Sequence, residues 1–277
     1  DRMGGHVQLA AWREAGALTG ICLAAIAPTA LMGFTDEPFA AFAWGFAAAT
    51  LLAVLLMWRE WTPVSVEHPP TPIGVILSDR TTRRLLFLAL VNATPLAVSS
   101  TLFLFYVESK LNASGWEGPL LVLFFLAAAL SSPLWSAMAQ KFGEKPVLLC
   151  AMLLAVVAFG WTLTLGVGDI TAFAIICVLS GATIGADLTL LPAMFAKRMA
   201  KIAPNGGQGF GLWSLVNKFT LAFAAVLLLP LLEGVGFQAG TDNPQAALTL
   251  LTLLYALVPS VLKVIAILLL SFTKLEN

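Results

Sequence analysis

The sequence predicts an all-α fold, a polytopic helical membrane protein with eight transmembrane helices, and three observations carry that reading. Hydrophobic residues fill 59% of the 277 positions and charged residues only 11%, a balance that no soluble core of this size requires. The apolar residues lie in continuous runs of spanning length, whereas a membrane barrel would alternate them. The loop cations fall almost entirely in alternate loops, as the positive-inside rule demands of a chain that crosses repeatedly.

About 20 apolar residues cross the hydrocarbon, and runs of that order occupy 8–33, 38–58, 85–107, 117–139, 146–167, 170–195, 207–232 and 246–272. Backbone polar groups in lipid must be satisfied internally, so each run is read as a helix. Arg2 precedes the first span, and Arg59, Arg80, Arg83 and Arg84 follow the second. Lys141 and Lys145 follow the fourth, Lys197, Arg198 and Lys201 the sixth, and Lys274 the eighth. Those are eleven of the 15 cations, whereas the opposite loops hold only Lys110. Both ends and the long central loop are therefore expected to be cytoplasmic, in a multi-pass protein of the cell's inner (plasma) membrane.

The long polar connection from Arg59 to Arg84 divides two helices from six. Pro63, Pro69, Pro70 and Pro72 keep its first half extended, and Ile73 to Arg84 has the pattern of a short amphipathic helix on the membrane face. The chain is thus read as 1–58, two helices; 59–84, a central cytoplasmic loop; and 85–277, a six-helix unit. Short loops elsewhere make consecutive helices antiparallel neighbours. Gly16 and Gly20, then Gly181 and Gly185, are each spaced to let another helix approach closely. Pro28, Pro95, Pro133, Pro192, Pro230 and Pro259 sit in or at the ends of spans, where freed carbonyls can line a cavity. Trp58, Trp61 and Trp116 lie at span ends, as interfacial belts require. Asn112, Ala113 and Ser114 form a glycosylation sequon that is set aside as chance.

Three ionisable residues inside the spans are the candidate functional groups. Lys218 stands in the middle of the seventh run, where an ammonium costs at least ~2.5 kcal/mol on insertion scales and should face a polar cavity or a carboxylate. Asp187, in the preceding run, is the partner that sequence suggests for it. Whether Asp187 binds substrate, protons or only Lys218 stays open. Arg13 near the start either faces a cleft or snorkels to the cytoplasm. Lys263 is assigned to the inner headgroups by its place in the last span. Trp213, five residues before Lys218, and Trp135 are candidates to stack on a sugar ring.

Other chemistries lack their parts. Cys22, Cys150 and Cys177 lie singly in apolar runs and are read as core residues, so no metal site is expected. With only His6 and His68, no HExxH, no GxSxG and no phosphate loop, the chain is not read as an enzyme. Equal numbers of acids and bases, 15 each, give no reason to expect nucleic acid.

A family resemblance enters with specific stretches. PLWSAMAQKFGEKPVLL resembles the loop signature of the major facilitator superfamily, with Ser136 at the small position, Lys141 and Lys145 at basic positions and Gly143 at the glycine. Gln140 stands where the signature has an acid. WREAGALTGICLAAIAP, FLFYVE, GADLTLLPAMFAKR and FGLWSLVNKFTLAF resemble more narrowly the glycoside, pentoside and hexuronide cation symporters, the melibiose-permease branch. The resemblance covers essentially the whole chain and implies helices five to twelve of a twelve-helix transporter, the first four missing, as a start at Asp1 and the absence of a signal peptide also suggest.

That resemblance implies a secondary active transporter that couples a cation to a sugar, glycoside or other small solute by alternating access. It places Arg13 and Lys218 among the residues that bind substrate, and Asp187 and Trp213 complete the candidate substrate-binding set. It implies no cofactor; the coupling ion, sodium or a proton, would bind on helices absent from the chain, so no ion site is assigned. The expected partners are the solute, the lipid bilayer and the missing N-terminal helices, and this stretch alone is expected to be inactive. Ala196 and Lys197 stand where many relatives have an alanine-aspartate pair, so an inner-gate charge is reversed. From Leu85 onward the helices should form two three-helix inverted repeats, with the first two helices standing apart. A non-transporting scaffold or partner subunit, and a lysolipid carrier of the same branch, remain as alternatives.

Overall fold

The computed structural model describes residues 3–59, 71–203, 207–240 and 242–273, with the side chains of 3–11, 14, 25, 28 and 29 excepted. Arg2, Trp61, Pro63, His68, Pro69, Pro70 and Lys274 lie outside the described residues, as do the side chains of His6 and Pro28. Of the described residues 86% are helical, and no strand occurs among them.

The helices are α1 (Met3–Leu31), α2 (Pro38–Met57), α3 (Ile73–Ser78), α4 (Arg80–Phe105), α5 (Glu117–Phe142), α6 (Glu144–Trp161), α7 (Ile170–Ile202), α8 (Gly207–Glu233), α9 (Gln245–Thr252) and α10 (Val258–Phe272). A π turn at Tyr106–Lys110 prolongs α4, and another at Leu253–Leu257 joins α9 to α10 into one span. Among the described residues seven helical stretches are long and apolar enough to cross a membrane: α2, α4, α5, α6, α7, α8 and α9–α10. The eighth expected span, α1, has 29 residues, about 43 Å at 1.5 Å per residue. Its apolar portion among the described residues is Ala15–Ala24. Of the central loop, Ile73–Ser78 is helical, and Arg83 closes α3 by donating to the carbonyls of Leu77 and Ser78 at 2.9 and 3.3 Å.

Helix pairing from α4 onward has an internal symmetry. α5 packs on α7 as α4 packs on α8, α6 on α7 as α10 on α4, and α6 meets α10. Exchanging α4, α5 and α6 with α7, α8 and α9–α10 converts each of these pairings into another of the set, which is the signature of two three-helix repeats. α5 and α7 approach each other closely. A Cβ at Gly181 would stand 2.2 Å from the Phe124 carbonyl oxygen, and one at Gly185 would stand 2.6 Å from that of Ala128. The bare glycines let the two backbones meet. Across that contact, Ser131 and Trp135 both donate to the Ala182 carbonyl, at 2.9 and 2.7 Å.

The first two helices behave differently from each other. α1 packs on α5 and α7, with Leu18 and Cys22 buried, so it does not stand apart as expected. It does so without its glycines, since a Cβ at Gly16 or Gly20 would meet nothing within 4 Å. α2 has no buried residue; its apolar side chains suit lipid on every face.

Positive charge is concentrated at one end of the bundle. There Arg198 of α7 grips Asp79, donating from Nε at 3.0 Å and from Nη2 at 2.5 Å. Asp79 also caps α4, accepting from the Thr82 amide at 2.7 Å and its hydroxyl at 2.8 Å. Lys197 pairs with Glu144 at 2.6 Å, and Lys145 donates to the carbonyls of Ser271 and Thr273 at 2.9 Å each. The last contact satisfies carbonyls that the C-terminus of α10 leaves orphaned. Between α5 and α6, Gly143 has φ +90°, a conformation that glycine adopts without penalty. At the opposite end Tyr106 and Tyr255, one from each π turn, stack with ring centroids 4.3 Å apart.

Candidate functional site

The intramembrane charges divide into a buried cluster and an exposed cation. In the cluster, Asp187 of α7 and Lys263 of α10 form a direct ion pair, and Lys263 Nζ also donates to Asn92 Oδ1 of α4 at 2.8 Å. All three are buried: 7%, 5% and 5% exposed. An ion pair so deep is tolerable only when geometry and further hydrogen bonds compensate desolvation. Here Asn92 supplies one such bond to the cation. The carboxylate is less well served, because Asp187 Oδ1 is buried and accepts no hydrogen bond.

This geometry corrects two expectations. Asp187 is paired with Lys263, not with Lys218. Nor does Lys263 reach the headgroups; it lies in the bundle interior, where the last span meets α4 and α7. Sequence gives position along a helix but not rotation about it, and the assignment of Lys263 to the headgroups from its position alone hid it as the partner of Asp187. Asn92, missed altogether, carried a weak signal, being an amide in the middle of an apolar run.

Lys218 is exposed on α8. The buried residues of that helix include Thr220, Ala224, Leu228 and Leu232, and two residues turn a helix by about 200°, so Lys218 projects nearly opposite to Thr220, the buried residue at its own level. No ion pair to Lys218 occurs among the described residues. Arg13 is likewise exposed, on α1. α1 and α8 pack on different helices, α1 against α5 and α7 and α8 against α4, so the two cations share no packed interface.

Trp213 is partly buried, with its ring centroid 4.8 Å from that of Phe195. It packs with Phe195 and Val216 near the basic end, and five residues of helix turn it onto a different face from Lys218. Trp135 is committed by its indole N–H to the α5–α7 contact. The four candidate residues therefore do not converge on one pocket: Asp187 is inside the bundle, Trp213 in a packing contact, and Lys218 and Arg13 on exposed faces.

Beside the Asp187–Lys263 pair lies a cavity of about 40 Å³, lined among others by Pro95, Ser99, Phe159, Thr183, Ser260 and Lys263. A second of about 40 Å³ shares Ser99, Phe159 and Ser180 with it and reaches Phe103, Phe173 and Tyr255. No group of three or more His, Cys, Asp or Glu residues placed to hold a metal occurs among the described residues.

These features define a multi-pass helical membrane protein with ionisable groups held at bilayer depth, the arrangement expected of a solute carrier. A family model described as MFS/sugar transport protein matches residues 1–277, and the chain belongs to that family, within the major facilitator superfamily. Among curated proteins none matches the chain.

Proposed function

We propose that the protein is a secondary active transporter that carries a sugar, a glycoside or a similar small hydroxylated solute together with a cation. The family supports transport of sugars as a class, and the resemblance to the glycoside, pentoside and hexuronide symporters favours cation coupling. The observation that carries the reading is Lys218: a cation in mid-span, exposed, without an ion pair among the described residues, and turned away from the buried Thr220 at its own level of α8. Lipid would penalise that placement by at least ~2.5 kcal/mol, so an aqueous solute cleft is the physically consistent environment. An ammonium there donates to solute hydroxyls. Arg13 is assigned to the same cleft from its α1 face. Asp187 is assigned an indirect role, through the Lys263 pair, in the bundle behind the cleft, and Trp213 supports the α7–α8 packing beside it.

In this reading the basic end is cytoplasmic, since its arginines and lysines obey the positive-inside rule, and the protein resides in the plasma membrane. The two three-helix repeats rock as units around the cleft. The test is uptake of labelled sugars and glycosides by proteoliposomes holding the complete protein, with sodium or proton gradients imposed separately. Solute accumulation that collapses when the gradient is dissipated supports the proposal; uptake indifferent to either gradient removes the coupling.

A further inference from the structure

At the end of the bundle opposite the basic one, a cavity of about 330 Å³ opens where α8 ends. Phe105 of α4, Leu229 and Glu233 of α8, and Gly236, Phe237 and Gln238 of the following loop are among its walls. Small-molecule sites occupy about 300–1,000 Å³, so this space is of ligand size, whereas the two cavities of about 40 Å³ inside the bundle are not.

The backbone fixes its walls. At the end of α8 the Phe237 amide donates to the Leu232 carbonyl at 3.1 Å and the Gly236 amide to that of Glu233 at 2.9 Å, with Gly236 at φ +79°. This is the Schellman pattern, in which a left-handed glycine turns the chain back over the last helical turn. Phe237 then meets Phe105 edge to face, ring centroids 5.4 Å apart. Asn243 clasps the next residue, its Oδ1 accepting from the Gln238 amide at 2.8 Å and its Nδ2 donating to the Gln238 carbonyl at 2.9 Å. Walls set before a ligand arrives spare it an ordering cost.

Glu233 is the charge this frame leaves over. Its carboxylate is exposed and makes no side-chain hydrogen bond or ion pair among the described residues. It stands in the last turn of α8, where the helix dipole favours a cation over an acid. From Glu233 to Pro244 the chain supplies no lysine or arginine. An acceptor so placed is satisfied by donors from outside, and the amide of the exposed Gln238 offers donors and an acceptor beside it. A carboxylate and an amide over an apolar, partly aromatic floor suit a sugar, whose hydroxyls meet the polar pair and whose C–H face meets the floor.

The cavity also continues the cleft proposed above. Leu229 follows Lys218 by eleven residues, three turns and about 20° of an ideal helix, so the two share one side of α8 about 16 Å apart. Glu233 lies one turn further along.

We infer that this cavity is an outer recognition site for a neutral sugar or glycoside, where Glu233 and Gln238 take the solute's hydroxyls before it passes along the same side of α8 to Lys218. The inference rests on the transport reading for the solute class and for which end faces outward. Glu233 repels a sugar acid, so the site sorts neutral solutes from anionic ones.

The test is saturation-transfer NMR on the complete protein in lipid nanodiscs. The probes are the methyl glycosides of glucose, galactose and xylose, methyl glucuronide and tetramethylammonium. In Lys218→Ala, which removes the mid-span group, saturable contact with a neutral glycoside is expected to persist and to exceed that with methyl glucuronide. Adding Glu233→Ala or Gln238→Ala should weaken it about tenfold or more. Glu233→Gln, which keeps the shape and loses the charge, should raise the affinity for methyl glucuronide. Contact abolished by Lys218→Ala alone, contact indifferent to Glu233 and Gln238, or Glu233-dependent contact with tetramethylammonium and no glycoside overturns the inference. So does a wild type that contacts none of the glycosides. None of these results settles transport itself, which uptake by proteoliposomes decides separately.

Discussion

The ammonium of Lys263 ties α10 to α7 through the Asp187 carboxylate and to α4 through Asn92, so one buried cation joins the two three-helix repeats at bilayer depth. Removing either charge strands the other, but not equally. Lys263→Met leaves a buried carboxylate with no donor and is expected to cost about 3–5 kcal/mol. Asp187→Asn costs less, because the ammonium keeps Asn92. The double variant should be more stable than Lys263→Met alone, since the two losses are coupled. Thermal unfolding in detergent, with the yield of membrane-inserted protein, measures all three; strictly additive losses would refute the coupling.

The glycine pairs make a matched comparison. Gly181→Ala places a methyl group 2.2 Å from a backbone oxygen of α5, and parting the helices is expected to cost about 1–3 kcal/mol. Gly16→Ala meets nothing within 4 Å and replaces a poor helix former, so it should be neutral or stabilising by up to about 1 kcal/mol. Equal melting shifts for the two would contradict the close α5–α7 approach.

Asp79 gives a pH dependence outside the membrane. The Arg198 guanidinium, assisted by the Thr82 amide and hydroxyl and opposed by burial, holds its carboxyl well below the usual carboxylate range. A folded-state pKa below the unfolded one means stability that is present at neutral pH and lost as pH falls below the ordinary aspartate value of about 3.9 toward the depressed one. Asp79→Asn should therefore cost about 1–3 kcal/mol at neutral pH, for a cap and a charge-assisted bond. The gap between variant and wild type should narrow only in strong acid. Denaturation followed at several pH values checks it, and a gap that widens on acidification would have the wrong sign.

Helix existence and membrane class were legible in the sequence because a span must be continuously apolar, and no tertiary contact can relax that requirement. The basic end was legible for the same reason, but its pairing was not. That Lys145 would cap α10, and Arg198 seize the Asp79 that starts α4, depends on which helix ends adjoin. The Gly181–Gly185 spacing read correctly as a close approach, whereas the identical spacing of Gly16 and Gly20 did not, because small residues permit contact without requiring it. Asp187 was found by its cost in lipid. Its partner was misread because Lys263 was assigned to the headgroups from its place along the last span, whereas helix rotation and packing turn it into the bundle interior. The two π turns, which bring Tyr106 onto Tyr255, left no trace in periodicity.

The most direct test of the account is solute uptake by the complete protein carrying Lys218→Ala, measured beside wild type at matched levels of inserted protein. Losing a charge-assisted hydrogen bond to solute, about 1.5–3 kcal/mol, should reduce uptake at low solute concentration tenfold or more. The melting temperature should stay unchanged, since Lys218 makes no ion pair among the described residues. Undiminished uptake by Lys218→Ala would contradict the central claim that this exposed cation lines the solute cleft.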